Sequence, residues 1–199
     1  MKKIILLLFI YASGNLFAQT TVIKDSFDFE ITKVKADLNK DGIIDFVVVT
    51  QDTLNNESPY RLQIYFGQAK GDPQLIVSTT KAIDPQFPSG KEAGTNGNGF
   101  SDITINKGVV SINIELLRGH YEHKFRFQHN NFELIGCSSV YADGRGTITE
   151  SDFNLSTGVQ IVITERADSD KILSNKKKKI LIRPLPKLQD FTPFENELY

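Results

Sequence analysis

The chain has 199 residues, with 23 basic and 24 acidic side chains, one cysteine and no tryptophan. That length suits a single packed domain, and the near-neutral charge argues against nucleic acid as the main partner. A lone cysteine, Cys137, excludes an internal disulfide.

Lys2 and Lys3 precede an unbroken apolar run from Ile4 to Ile10, and Leu16-Phe17-Ala18 ends on a small residue before Gln19. This is the layout of an export signal covering residues 1–18, with an apolar run too short to span a bilayer. No later segment is apolar over a spanning length, so no membrane span is expected. Cleavage leaves 181 residues and, with Lys2 and Lys3 gone, 21 basic against 24 acidic side chains, a net charge of −3. The mature chain, 19–199, is expected to be one β-rich domain outside the cytoplasm, periplasmic or secreted.

A first strand is expected around Phe27, Phe29 and Ile31. It leads into Asp37-Leu38-Asn39-Lys40-Asp41-Gly42-Ile43-Ile44-Asp45, a D-x-N-x-D-G-x-x-D spacing. Calcium takes six to eight oxygen ligands, and a turn with oxygen side chains at alternate positions supplies them. Asp37, Asn39 and Asp41 fall at loop positions 1, 3 and 5, the Ile43 carbonyl at 7 and Asp45 at 9, with Gly42 allowing the sharp turn. Asp, Asn and Gly are also ordinary turn residues, so a metal-free β-turn is the competing reading. Position 12 is Val48, where an EF-hand has a bidentate Glu, and no flanking helices are expected. The loop therefore reads as a shorter, strand-flanked site holding a structural calcium. The strand from Ile44 to Thr50 that follows is apolar throughout Phe46–Val49, which predicts a central strand covered on both faces.

Period-two alternation then dominates. Leu62, Ile64 and Phe66 form one series; Val110, Ile112, Ile114 and Leu116 another; Tyr121, His123, Phe125 and Phe127 a third; Val159, Ile161 and Ile163 a fourth. A short final strand is expected at Ile180–Ile182. Asn106-Lys107-Gly108, His129-Asn130-Asn131, Asp143-Gly144-Arg145-Gly146 and Ser156-Thr157-Gly158 carry hairpin turn chemistry, so residues 101–165 should form an antiparallel meander. Residues 84–100, rich in Pro and Gly, are expected to be a long loop, and the Pro-containing tail 184–199 to be extended and partly mobile. The fold class expected is thus mainly β: a meander or sandwich of antiparallel sheet with one calcium-loop hairpin and little helix.

Ala36 to Val49 resembles the calcium loop and strand of FG-GAP/VCBS repeats, the motif of integrin-α propellers. With one copy, a propeller is excluded on length. More widely, the chain resembles exported bacterial proteins that carry a single such loop. The similarity runs from about residue 30 to 165 through Leu62-Gln63-Ile64-Tyr65-Phe66-Gly67, Tyr121 to Gly136, and Asn154-Leu155-Ser156-Thr157-Gly158. The chain departs from that group at Gly94–Phe100, and at His120 and His123, where tryptophans are common.

Other chemistry-bearing residues are sparse. His120 and His123 would face opposite sides of a strand and so could not share an ion. Cys137 reads as a small buried hydrophobe. Lys176–Lys179 reads as a solvated turn, and Gly94–Gly99 precedes a strand, without the helix dipole that favours phosphate. No catalytic residue and no organic cofactor is assigned. The function expected is a non-enzymatic calcium-binding module with an unidentified protein or glycan partner. The alternatives are a hydrolase of envelope polymers or glycans using Asp143, Glu150 or Asp152, and an inhibitor or immunity-type protein presenting residues 84–100.

Overall fold

The computed structural model describes residues 26–94, 99–169 and 171–196; residues 1–18, where an export signal is expected, lie outside them. The domain is mainly β, with two antiparallel sheets. The first sheet holds β1 (Phe29–Ala36), β2 (Asp45–Gln51), β3 (Tyr60–Phe66) and β4 (Gln74–Thr79) in chain order. The second holds β5 (Gly99–Asn106), β6 (Val109–Leu116), β7 (Gly119–Gln128), β8 (Asn131–Ala142), β9 (Thr147–Asn154), β10 (Val159–Arg166) and β11 (Ile172–Lys179), a continuous meander. The only helical piece among the described residues is a 3-10 turn at Lys91–Ala93.

The meander follows from its turns. Lys107 and Gly108, and likewise His129 and Asn130, take positive φ, the two-residue geometry whose twist matches that of paired strands. The sheets pack face to face through β3. Phe66 meets Phe127 edge-on at 4.9 Å between ring centroids, and Tyr60 lies 5.4 Å from Phe100. Val47, Val49, Leu62 and Ile64 face Val110, Ile112, Phe125 and Leu134 across a core from which water is excluded.

β2 is central, as its sequence suggests, but only one of its faces is buried. Phe46 and Val48 stay half-exposed on the other. They are flanked by Lys33 and Lys35 on β1 and by Gln63 and Tyr65 on β3, and the Lys33 ammonium sits 4.9 Å from the centre of the Phe46 ring. Long lysine stems can shelter apolar surface without a second protein layer, so continuous apolarity did not require one here.

Two further expectations are corrected. Residues 180–182 form no strand; the last strand is β11, which carries Lys176–Lys179 along the sheet edge rather than on a turn. Charged side chains on an edge discourage pairing with another chain. The tail is also more than an extended end. β9 pairs with β8 only as far as Gly136, and the strap after β11 fills the space beside the first residues of β8. The Leu134 amide donates to the Pro186 carbonyl, and the Leu188 amide to the Phe132 carbonyl, both at 2.8 Å. Leu185, Leu188 and Phe191 are buried.

Phe191 and Phe194 close over His123 on β7, with ring centroids at 5.0 and 6.0 Å. His123 is 1% exposed, and its Nδ1 has no hydrogen-bond partner. Burial lowers its pKa to about 4, with the neighbouring Glu122 carboxylate opposing the shift. The unfolded chain, titrating near 6.5, therefore binds the proton that the folded chain refuses. Stability from this site is complete above pH 6.5 and is lost as pH falls toward 4, amounting to about 3 kcal/mol across that window. Thermal melts should lose stability from pH 7 to 4.5, and His123→Leu should flatten that slope. An unchanged slope in the variant contradicts the assignment.

Candidate functional site

The β1–β2 connection folds around its own side chains. Lys40 and Gly42 take positive φ, which tightens the turn. Asp37 accepts the Lys40 amide on Oδ1 at 2.6 Å and the Gly42 amide on Oδ2 at 3.0 Å. Asn39 Oδ1 accepts the Asp41 amide at 3.0 Å, and Asp41 Oδ1 accepts the Ile43 amide at 2.7 Å. The Asn39 side-chain amide donates to Asp41 Oδ2 at 2.9 Å. These are Asx turns in series, with short polar side chains satisfying amides that a sheet ladder cannot reach.

Asp45 is placed differently. It is 0% exposed at the base of the loop, accepting the Leu38 amide on Oδ2 at 2.7 Å and the Gly67 amide on Oδ1 at 3.0 Å. A buried carboxylate is tolerated only when its oxygens are hydrogen-bonded, and these two amides supply that. The Leu38 side chain, 2% exposed, joins the core between the sheets. Gly67 must lack a side chain, because a Cβ there would collide with the Ile44 carbonyl oxygen. On the other side stands the β5–β6 turn: a Cβ on Gly108 would lie 3.7 Å from the Asp37 carbonyl oxygen. The loop is therefore held at the seam where both sheets meet.

Of the five residues read from the spacing, Asp37, Asn39 and Asp41 are linked on the exposed turn, Ile43 is half-buried beside them, and Asp45 lies beneath. Among the described residues, no three His, Cys, Asp or Glu side chains come close enough to hold one ion. The donor set still has calcium chemistry: every candidate ligand is an oxygen, and a carboxylate oxygen that accepts one amide retains a second lone pair. Gly67 was missed by the loop spacing; its signal was a glycine directly after an alternating strand.

Elsewhere, His120 is exposed and His123 buried on opposite faces of β7, as their spacing requires. Cys137 is half-buried with its thiol pushed up to about 12 by burial, far from the thiolate a nucleophile needs. Asp143 caps the β8–β9 turn, accepting the amides of Arg145 and Thr147, and these hold its carboxyl below the usual range. Glu150 and Asp152 sit two apart on β9 beside a shallow groove with Ile161 and Ile163. Residues 84–94 are pinned rather than protruding: the amides of Gln86, Phe87 and Lys91 donate to the carbonyls of Ser58, Glu57 and Asn56.

Asp45→Ala leaves the buried Leu38 amide and the part-buried Gly67 amide without acceptors, so urea unfolding should show a loss of about 3 kcal/mol. Gly67→Ala should also destabilise, by about 1–3 kcal/mol. Full stability in Asp45→Ala contradicts the clamp. Comparison of the chain with protein families, curated proteins and solved structures finds no match in any of the three.

Proposed function

We propose that the chain is an exported, non-enzymatic binding domain whose Asp37–Asp45 loop takes a structural calcium ion. The observation that carries this reading is the position of the loop. A turn whose side-chain acceptors are all oxygens sits at the seam of two sheets, with its base clamped by a buried carboxylate. An ion coordinated by Asp37, Asn39, Asp41 and the Ile43 carbonyl, above a base that Asp45 holds in place, would neutralise the two carboxylates gathered on the turn and stiffen that seam. It would do no chemistry there. The resemblance of Ala36–Val49 to FG-GAP/VCBS loops points the same way, and the export signal read in residues 1–18 would deliver the domain to a calcium-containing compartment.

The hydrolase alternative needs a carboxyl kept protonated near neutral pH. Asp143 is shifted in the opposite direction by its turn amides. The inhibitor alternative needs a projecting loop, whereas residues 84–94 lie against the β2–β3 connection.

An extracellular calcium loop of this class has a dissociation constant of about 10⁻⁴–10⁻³ M, so about 10 mM calcium should add roughly 1.4–2.7 kcal/mol. For a domain of this size that raises the melting temperature by about 3–10 °C relative to chelator. Asp41→Ala, on the exposed turn, should abolish the calcium increment while changing the chelated melt little. Equal melts with calcium and with chelator contradict the proposal.

A further inference from the structure

We propose a second binding site, beside the β7–β8 hairpin, for a small polyhydroxylated carboxylate such as a sugar acid. An open pocket of about 450 Å³ lies between the β7–β8 hairpin, the β9–β10 turn and the strap that follows β11. That volume is within the range of about 300–1,000 Å³ typical of small-molecule sites. Its walls bring together side chains distant in sequence: Arg126 and Gln128 from β7, His129 from the hairpin turn, Glu133 from β8, Ser156 from the β9–β10 turn, and Arg183 from the strap.

Two features give the site its chemistry. Arg183 is held in place by three carbonyls, its Nη1 donating to Leu155 and Ile182 and its Nη2 to Ser156, at 3.0, 2.6 and 2.7 Å. Nε–H and the second Nη2–H stay available for a ligand. A guanidinium fixed beforehand loses little freedom on binding, and its planar fork matches a carboxylate. Arg126, on the strand adjacent to Glu133, adds a second permanent positive charge on the rim.

Glu133 supplies the opposite function. It is 9% exposed, and its Oε2 already accepts the Gln128 side-chain amide at 2.6 Å and lies 3.4 Å from His129 Nδ1. Oε1 remains as an acceptor at the pocket wall. A bare inorganic anion would be attracted by the arginines and repelled by this carboxylate. A ligand with an anionic group at one end and hydroxyl donors at the other satisfies both. The loop at residues 37–45 takes no part in this site, so the proposal stands apart from the calcium reading.

Isothermal titration of the full chain with glucuronate, glucose and inorganic sulfate tests it, each in calcium and in chelator. Glucuronate should bind in both buffers, more tightly than glucose or sulfate. Arg126→Gln should weaken glucuronate by about tenfold, the loss expected for one charge-assisted contact. Glu133→Gln should weaken glucuronate while leaving sulfate unchanged or tighter. A thermal melt confirms that both variants are folded; Arg183, which ties down the strap, is left intact. Absence of glucuronate binding, parity with glucose, or indifference to both substitutions overturns the proposal. Sulfate binding as tightly as glucuronate, insensitive to Glu133→Gln, identifies an adventitious anion only and overturns it equally.

Discussion

A carboxylate in a protein interior is stable only if its charge is met, and Asp45 is met by two backbone amides from different parts of the chain. One belongs to Leu38, at the start of the connection between β1 and β2; the other belongs to Gly67, at the end of β3. Those two bonds set where the loop sits relative to the first sheet. Leu38 entering the core between the sheets sets where it sits relative to the second, with the β5–β6 turn at Gly108 close by. The arrangement of the two sheets, and hence of the surfaces each presents, is coupled to this one buried charge.

The parts of the fold that bury a face were legible in the sequence. Alternation at Leu62–Phe66, Val110–Leu116 and Tyr121–Phe127 marks strands because each has one wet and one dry side. Lys107-Gly108 and His129-Asn130 mark hairpins because their backbones need positive φ. The far end of the large sheet was less legible. Little of β9 or β11 is buried apart from Phe153 near the end of β9. With so little of either strand facing the core, Thr147–Asn154 and Ile172–Lys179 carry no apolar alternation, and the lysines of β11 resemble a solvated turn. The strap misled for the reverse reason. Its prolines forecast extended backbone correctly, but the burial of Leu185, Leu188 and Phe191 depends on a gap beside β8 that no local pattern encodes.

The same distinction applies to the sites. Spacing alone singled out Asp37, Asn39, Asp41, Ile43 and Asp45, because a calcium-type loop is local in sequence. It could not separate the exposed acceptors from the buried one, since that depends on Gly67, 22 residues further on. The pocket beside the β7–β8 hairpin left no trace in the sequence. Arg126, Glu133 and Arg183 are ordinary charged residues until the meander and the strap bring them together. The two sites sit on separate supports: one on the β1–β2 turn, the other on the closure of the chain's end against β8.

The most direct test of the loop's central place is amide hydrogen exchange read residue by residue, with calcium and with chelator. The amides of Leu38 and Gly67 should exchange among the slowest in the domain in either condition, because the Asp45 carboxylate holds them. Those of Lys40, Asp41, Gly42 and Ile43 should exchange quickly in chelator and slow markedly when calcium is added. Exchange at Leu38 as fast as at the turn amides, with no change at Lys40–Ile43 on adding calcium, would contradict both the clamp and the ion.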